Sequence, residues 1–176
     1  MNKIIKINSD NGRIVVSAPS HYGKTYLVAT LLKSALKNSW KVFVLAYSRS
    51  EAEQYWNKLE ELGAEIVYAE RTDERSLIDF LAKTTNGNCV VYIDDLDLYL
   101  NTGHKYVVNM LKNLLSAGRK ANMIMIFSMK ELKGYIATAL VNGADILFLG
   151  RFPRYSNAWN SFGIENLQDI MSTLNP

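Results

Sequence analysis

The stretch Ile14-Val-Val-Ser-Ala18-Pro-Ser-His-Tyr-Gly-Lys-Thr25 decides how the rest of the chain reads. It opens as a β-rich run and ends in Gly23-Lys24-Thr25, after which Leu27, Val28, Leu31, Leu32 and Leu36 recur at helical spacing. Strand, tight loop and helix in that order are the context that separates a phosphate-binding loop from a chance match. Backbone N–H groups of such a loop, and of the helix N-terminus behind it, point at phosphate oxygens. The candidate ATP-binding residues are therefore Ala18, Pro19, Ser20, His21, Tyr22, Gly23, Lys24 and Thr25. Lys24 is expected to reach the β- and γ-phosphates in catalysis, and the Thr25 hydroxyl to ligate Mg²⁺. Gly23 permits close backbone approach. Ala18 stands where the usual pattern has its first glycine, which a backbone at negative φ allows. His21 reads as a solvent-facing turn residue before it reads as a phosphate contact.

Outward from this stretch, short β-rich runs alternate with helical spacing, as an α/β fold requires. Upstream, Lys3 to Ile7 and Ile14 to Ala18 flank the turn-rich Asn8-Ser-Asp-Asn-Gly12, which predicts an opening hairpin. Downstream, Val42 to Ala46 reads as a buried strand and Ser50 to Leu62 as a charged helix ended by Gly63. Glu65 to Tyr68 is a short strand, Glu74 to Lys83 a second amphipathic helix, and Cys89 to Ile93 an apolar run suited to a central parallel strand. A helix over Val107 to Leu115 follows. Met123 to Phe127 and Ile146 to Leu149 read as inner strands separated by a helix from Glu131 to Val141, with a short helix near Ile164 to Met171. No repeat or linker interrupts the pattern, so residues 1–176 read as a single three-layer α/β domain around a mostly parallel sheet.

Sixty-nine residues beyond Thr25, the strand Cys89 to Ile93 ends in Asp94-Asp95-Leu-Asp97. Carboxylates at the carboxyl end of a buried strand fall at the ligand edge of an open α/β sheet, beside the phosphate loop. Asp94 is the candidate holder of Mg²⁺, through a coordinated water. Asp95 is the candidate catalytic residue that orients or deprotonates the attacking water. Asp95 and Asp97 also read as caps of the following segment. The strand Met123 to Phe127 ends in Ser128-Met-Lys130, where Ser128 and Lys130 are either γ-phosphate sensors or ordinary strand-end polar residues. Gly118-Arg119-Lys120 closes the preceding helix, where basic residues complement the helix dipole. The sharper reading makes Arg119 an arginine finger acting on a neighbouring subunit's γ-phosphate, a contribution of ~10³-fold or more in rate. Arg151 and Arg154 are further candidates for that role.

At 176 residues the chain suits one sizeable core. No apolar run reaches the roughly 18 residues of a membrane span, and the N-terminus has no secretory h-region. A cytoplasmic location without an integral membrane segment is the expectation. The net charge of +3 permits a phosphate-rich partner, but no block of like charge marks one. The single cysteine, Cys89, excludes an internal disulfide and a cysteine-rich metal site, and reads as a buried, inert thiol.

The order of these features resembles the additional-strand P-loop motors of the FtsK/HerA superfamily, particularly the small genome-packaging ATPases of membrane-containing viruses. The resemblance runs from Ile14 to about Arg151. It rests on the loop Ala18 to Thr25, the acidic end Asp94-Asp95, the segment Arg119-Lys120, the strand ending near Ser128, and the late run Asp145-Ile-Leu-Phe-Leu-Gly150. Lys130 stands where that family usually has Gln. Membership would imply a RecA-like, additional-strand P-loop NTPase fold and a homohexameric ring pumping double-stranded DNA with Arg119 acting in trans. It would also imply the host cytoplasm as location, association with a virion, and a viral capsid or membrane protein as a further partner.

A Mg²⁺-dependent ATPase motor moving double-stranded DNA is the leading functional expectation. A nucleoside or nucleotide kinase is an alternative. The stretch between the last two inner strands offers Lys130 and Lys133 but no arginine for a lid, and one cysteine excludes the zinc-bearing thymidine kinase form. A helicase loader or a Zot-like assembly ATPase is the third class, since Ile93-Asp-Asp-Leu resembles the acidic strand end of loaders.

Overall fold

The computed structural model describes residues 7, 12–47, 53–84, 88–99, 109, 112, 122–130 and 140–150. Six strands form one sheet: β1 (Arg13–Ser17), β2 (Lys41–Ala46), β3 (Glu65–Tyr68), β4 (Cys89–Ile93), β5 (Met123–Met129) and β6 (Ile146–Leu149). Among the described residues, the helices include, in chain order, α1 (Lys24–Lys37), α2 (Glu53–Glu60), α3 (Glu74–Lys83) and the short α4 (Leu96–Tyr99). The sheet order is β3-β2-β4-β5-β1-β6, and every pairing is parallel. Parallel neighbours need crossover connections that cover both faces, so the inner strands are mainly apolar. All five residues of β4 and all seven of β5 are buried.

Alternation along each strand divides the core in two. On one face Ile14, Val16, Val44, Tyr92 and Ile126 pack under Val28 and Leu32 of α1 and under Trp56 and Leu59 of α2. On the other, Val15, Leu45, Val91, Ile93 and Phe127 pack against Leu77, Phe80 and Leu81 of α3, Leu96 and Tyr99 of α4, and Leu140. The result is three layers. Cys89 is buried and free, and burial pushes its thiol pKa up, as an inert core thiol requires. Asp73 caps α3, its carboxylate accepting the Ser76 N–H at 2.8 Å.

Two expectations change. The opening hairpin is not available to Ile14 to Ala18, because β1 is bonded by β5 along one edge and β6 along the other. A turn-rich segment reports only that the chain bends; which strand fills an edge is decided by distant parts of the chain. The strand expected at Met123 to Phe127 continues through Ser128 and Met129. The sheet is all-parallel among the described residues, in keeping with the mostly parallel one expected. Apart from the helical Asn109 and Lys112, the helix expected over Val107 to Leu115 lies outside the described residues, as do the bulk of that from Glu131, the segment near Ile164 to Met171, and Arg119, Lys120, Lys133, Arg151 and Arg154.

At the floor of the sheet, Arg13 and Asp145 join the starts of β1 and β6 through a two-pronged ion pair, Nε to Oδ2 at 2.9 Å and Nη2 to Oδ1 at 2.8 Å. The opposite edge, at the carboxyl ends of the strands, carries the polar residues singled out above.

Candidate nucleotide site

The loop from Ala18 to Thr25 joins β1 to α1 at the carboxyl edge of the sheet. Its shape comes from backbone conformation. His21 has φ 67° and Gly23 φ 78°, both left-handed, so the chain reverses into α1 without a side-chain cap at its start. Gly23 is needed for that φ, since nothing lies within 4 Å of where its Cβ would stand. Ser20, His21, Tyr22 and Gly23 are exposed, and the first turn of α1 contains no acidic residue to compete for the helix N-terminus. Lys24 turns back on the loop and donates from Nζ to the carbonyls of Ala18 at 2.7 Å and Pro19 at 3.2 Å. Burial lowers its pKa, and the nearby charges of Asp95 and Asp94 oppose that shift. Thr25 follows in the first turn of the helix, partly buried.

Ala18 fits because of a residue on another strand. The Gly150 N–H donates to the Ser17 carbonyl at 2.8 Å, which draws the end of β6 against the start of the loop. A Cβ on Gly150 would stand 2.3 Å from the Cβ of Ala18. One methyl group occupies a space that cannot hold two, and here residue 18 carries it.

The acidic end of β4 does not lie directly beside the loop strand. β5 stands between β4 and β1, and Ser128 of β5 bridges the gap. Ser128 is fully buried. Its Oγ donates to Asp94 Oδ1 at 2.9 Å and accepts the Asp95 N–H at 2.8 Å. The Tyr92 hydroxyl, two residues before Asp94 and on the same face, lies 2.5 Å from Asp94 Oδ1 and 2.9 Å from Ser128 Oγ. Asp95 has φ 45°, a left-handed conformation that Asp tolerates and that its N–H bond to Ser128 holds. Lys130 closes the constellation: Nζ lies 2.9 Å from Asp95 Oδ2, and its backbone N–H donates to Asp97 Oδ1 at 3.4 Å. Lys130 is also next in chain to Met129, whose carbonyl accepts the Ala18 N–H at 3.2 Å, so it borders the phosphate loop.

The electrostatics follow the geometry. Burial and the neighbouring Asp95 charge raise the Asp94 pKa, although Tyr92 and Ser128 stabilise its ionised form. Burial, then the Asp95 charge, also raises that of Asp97. The bond to Asp95 raises that of Lys130, and burial beside Asp94 carries the Tyr92 hydroxyl well above its ordinary range. Asp94 forms no ion pair among the described residues, so a carboxylate crowded by like charge gains from a cation. Mg²⁺ takes hard oxygen ligands, commonly one or two carboxylates with phosphate oxygens and waters. A carboxylate on Asp94 and a hydroxyl on Thr25 fit that donor set.

The described residues thus bring Lys24, Asp94, Asp95, Asp97, Ser128 and Lys130 to one edge of the sheet. Arg119, the arginine-finger candidate, lies outside them, as do Arg151 and Arg154. Sequence reasoning missed the roles of Tyr92 and Gly150. The signal for Tyr92 was a lone hydroxyl in an otherwise apolar buried run, on the same face as the acid two residues on; Gly150 carried no signal without the contact to Ala18.

A family model described as "ATPase family associated with various cellular activities (AAA)" matches residues 14–152. Among solved structures, the genome packaging NTPase B204 from Sulfolobus turreted icosahedral virus 2 in complex with ATP-gammaS is similar with a TM-score of 0.70 and 16% identity, over 94% of this chain and 87% of that one. The same protein in complex with sulfate gives a TM-score of 0.71 at 15% identity, over 94% and 86%. The cytoplasmic domain of EssC gives 0.65 at 16% identity, over 89% of this chain and 34% of that one. At these identities the likeness is one of fold. The search of curated proteins returned no match.

Proposed function

From the premise that the chain belongs to the AAA family of ATPases and is a P-loop ATPase that binds ATP, we propose that it is a Mg²⁺-dependent motor translocating double-stranded DNA, as in viral genome packaging. The observation that carries this reading is the placement of β5. It inserts between the loop strand and the acidic strand and carries Ser128, bonded to Asp94, and Lys130, paired with Asp95, which supports a role for both in sensing loss of a phosphate. The fold shared with a viral genome packaging NTPase over 94% of this chain supports the choice of cargo.

In this reading the loop N–H groups and Lys24 hold the triphosphate, Lys24 exchanging its bonds to Ala18 and Pro19 for phosphate oxygens. Thr25 and Asp94 would hold Mg²⁺, which when bound neutralises charge on the phosphate oxygens. Asp95 orients and accepts a proton from the attacking water once Lys130 ceases to neutralise it. Ser128, bonded to Asp94 and to the Asp95 N–H, passes a shift of the acidic end into β5. Arg119 completes the site of a neighbouring subunit in a ring, a hexamer by the family resemblance.

The test is ATP turnover with and without linear double-stranded DNA, with Lys24→Ala as the inactive control. Stimulation by DNA, and a rate that falls more steeply than dilution when Arg119→Ala subunits are mixed into wild type, is the expected result. Turnover indifferent to DNA in a protein that stays monomeric at high concentration would sink the motor reading and leave the ATPase.

A further inference from the structure

Tyr92 is the one hydroxyl-bearing residue of β4, a strand otherwise made of Cys89, Val90, Val91 and Ile93. Its ring packs against Trp56 of α2, with centroids 5.8 Å apart, and is fully buried. A phenylalanine ring would fill the same place. The hydroxyl adds nothing to that packing, and burying it unbonded would be unfavourable. What it adds are two contacts, with Asp94 Oδ1 on its own strand and with Ser128 Oγ on β5.

Counting protons narrows the arrangement. Tyr92 and Ser128 each have one hydroxyl proton. The Asp95 N–H already occupies Ser128 as an acceptor, and the Ser128 proton goes to Asp94 Oδ1. Tyr92 then donates either to Asp94 Oδ1 alongside it, or to Ser128, which relays to the same oxygen. Either way Oδ1 is filled from the sheet, and Oδ2 is the oxygen left for a ligand. The carboxylate cannot rotate without breaking the bond that ties it to β5.

We propose that Tyr92 is a positioning residue for the metal site: its hydroxyl, bridging β4 and β5, holds the Asp94 carboxylate so that Oδ2 is presented to the cation accompanying the nucleotide. The inference rests on the reading of Asp94 as the residue serving Mg²⁺. Groups that orient a metal-holding side chain typically cost ten- to a hundredfold in metal affinity when removed.

The experiment uses the full chain and binding alone. Calorimetric titration with a non-hydrolysable ATP analogue, in chelator and in millimolar Mg²⁺, gives the factor by which Mg²⁺ tightens binding. In Tyr92→Phe that factor should fall about tenfold with chelator-state affinity unchanged. An unchanged factor overturns the proposal. So does an equal loss of affinity with and without Mg²⁺, the mark of a ring that only packs. Asp94→Asn separates the premise: if that variant keeps the wild-type factor, the metal reading of Asp94 falls and the Tyr92 inference with it. If Asp94→Asn loses the factor and Tyr92→Phe keeps it, only the Tyr92 inference falls. Should Tyr92→Phe not fold, Ser128→Ala breaks the same network from β5 and is expected to lower the factor likewise; an unchanged factor there overturns the proposal.

Discussion

The phosphate loop and the acidic end of β4 share one edge of the sheet, with β5 between them, and they are held in shape by different means. The loop is shaped by its backbone: left-handed φ at His21 and Gly23, no side-chain cap on α1, exposed residues from Ser20 to Gly23, and a lysine resting on its own carbonyls. The acidic end is shaped by side chains, with Tyr92, Ser128 and Lys130 each bonded to Asp94 or Asp95. A set of backbone donors can wait in water for an anion at little cost, because water satisfies it meanwhile. Partly buried carboxylates have no such recourse and must be bonded before the ligand arrives. The first region is therefore completed by ligand, while the second is preorganised.

Lys24→Ala should give the largest effect. Hydrolysis is expected to fall by ~10²–10³-fold or more, the scale for loss of one group that stabilises developing charge. The melting temperature of the nucleotide-free protein should stay within a few degrees of wild type, since the lysine bonds only two carbonyls of its own loop. Phosphate release and thermal melts check this; a large fall in melting temperature would show that Lys24 also holds the empty loop together.

Gly150→Ala tests whether the loop depends on anything beyond its own backbone. The added Cβ overlaps Ala18, so the loop start or the end of β6 must shift, at roughly 1–3 kcal/mol for overpacking. Stability in denaturant and ATP affinity should fall together. Adding Ala18→Gly in the same chain should restore both, because the pair again places one methyl in that space. A double variant as impaired as the single would show that the two residues do not share it.

The smallest effect is expected at Lys130→Met, which removes a half-exposed partner of Asp95. Pairs of this exposure contribute about 0–1 kcal/mol. The pKa of Lys130 is raised by its bond to Asp95. A raised lysine binds its proton more tightly when folded, so its contribution is complete below the ordinary lysine value of about 10.4. It fades as pH rises through the higher folded value. The stability gap between wild type and variant should thus be flat near neutrality and close in strong alkali, measured by urea unfolding across pH. A gap that persists unchanged in strong alkali would show that the charge of Lys130 does not carry the effect.

Much of the fold was legible. The short strand Glu65–Tyr68, the helix Glu74–Lys83 and the strands Cys89–Ile93 and Ile146–Leu149 stand where hydrophobic period and turn residues put them. These are local signals, written within a window of ten or so residues. Where the reading went wrong, the deciding contact was distant. The pairing of β1 is settled by β5 and β6, more than a hundred residues away in sequence, and the composition of Asn8 to Gly12 contains no trace of them.

The site divides along the same line. The sequence by itself determined where the loop forms: a strand, a loop ending in Gly23-Lys24-Thr25 and a helix form a local unit whose geometry follows from its own residues. It also named Asp94 and Asp95, since strand-end carboxylates fall at the ligand edge of a parallel sheet whatever the order of the strands. Only the tertiary structure decided that β5 separates them from the loop, that Ser128 and Tyr92 converge on one oxygen of Asp94, and that Ala18 is admitted because residue 150 is glycine. Those facts depend on side chains from different strands meeting in one space, and the packing that brings them together is a property of the whole sheet.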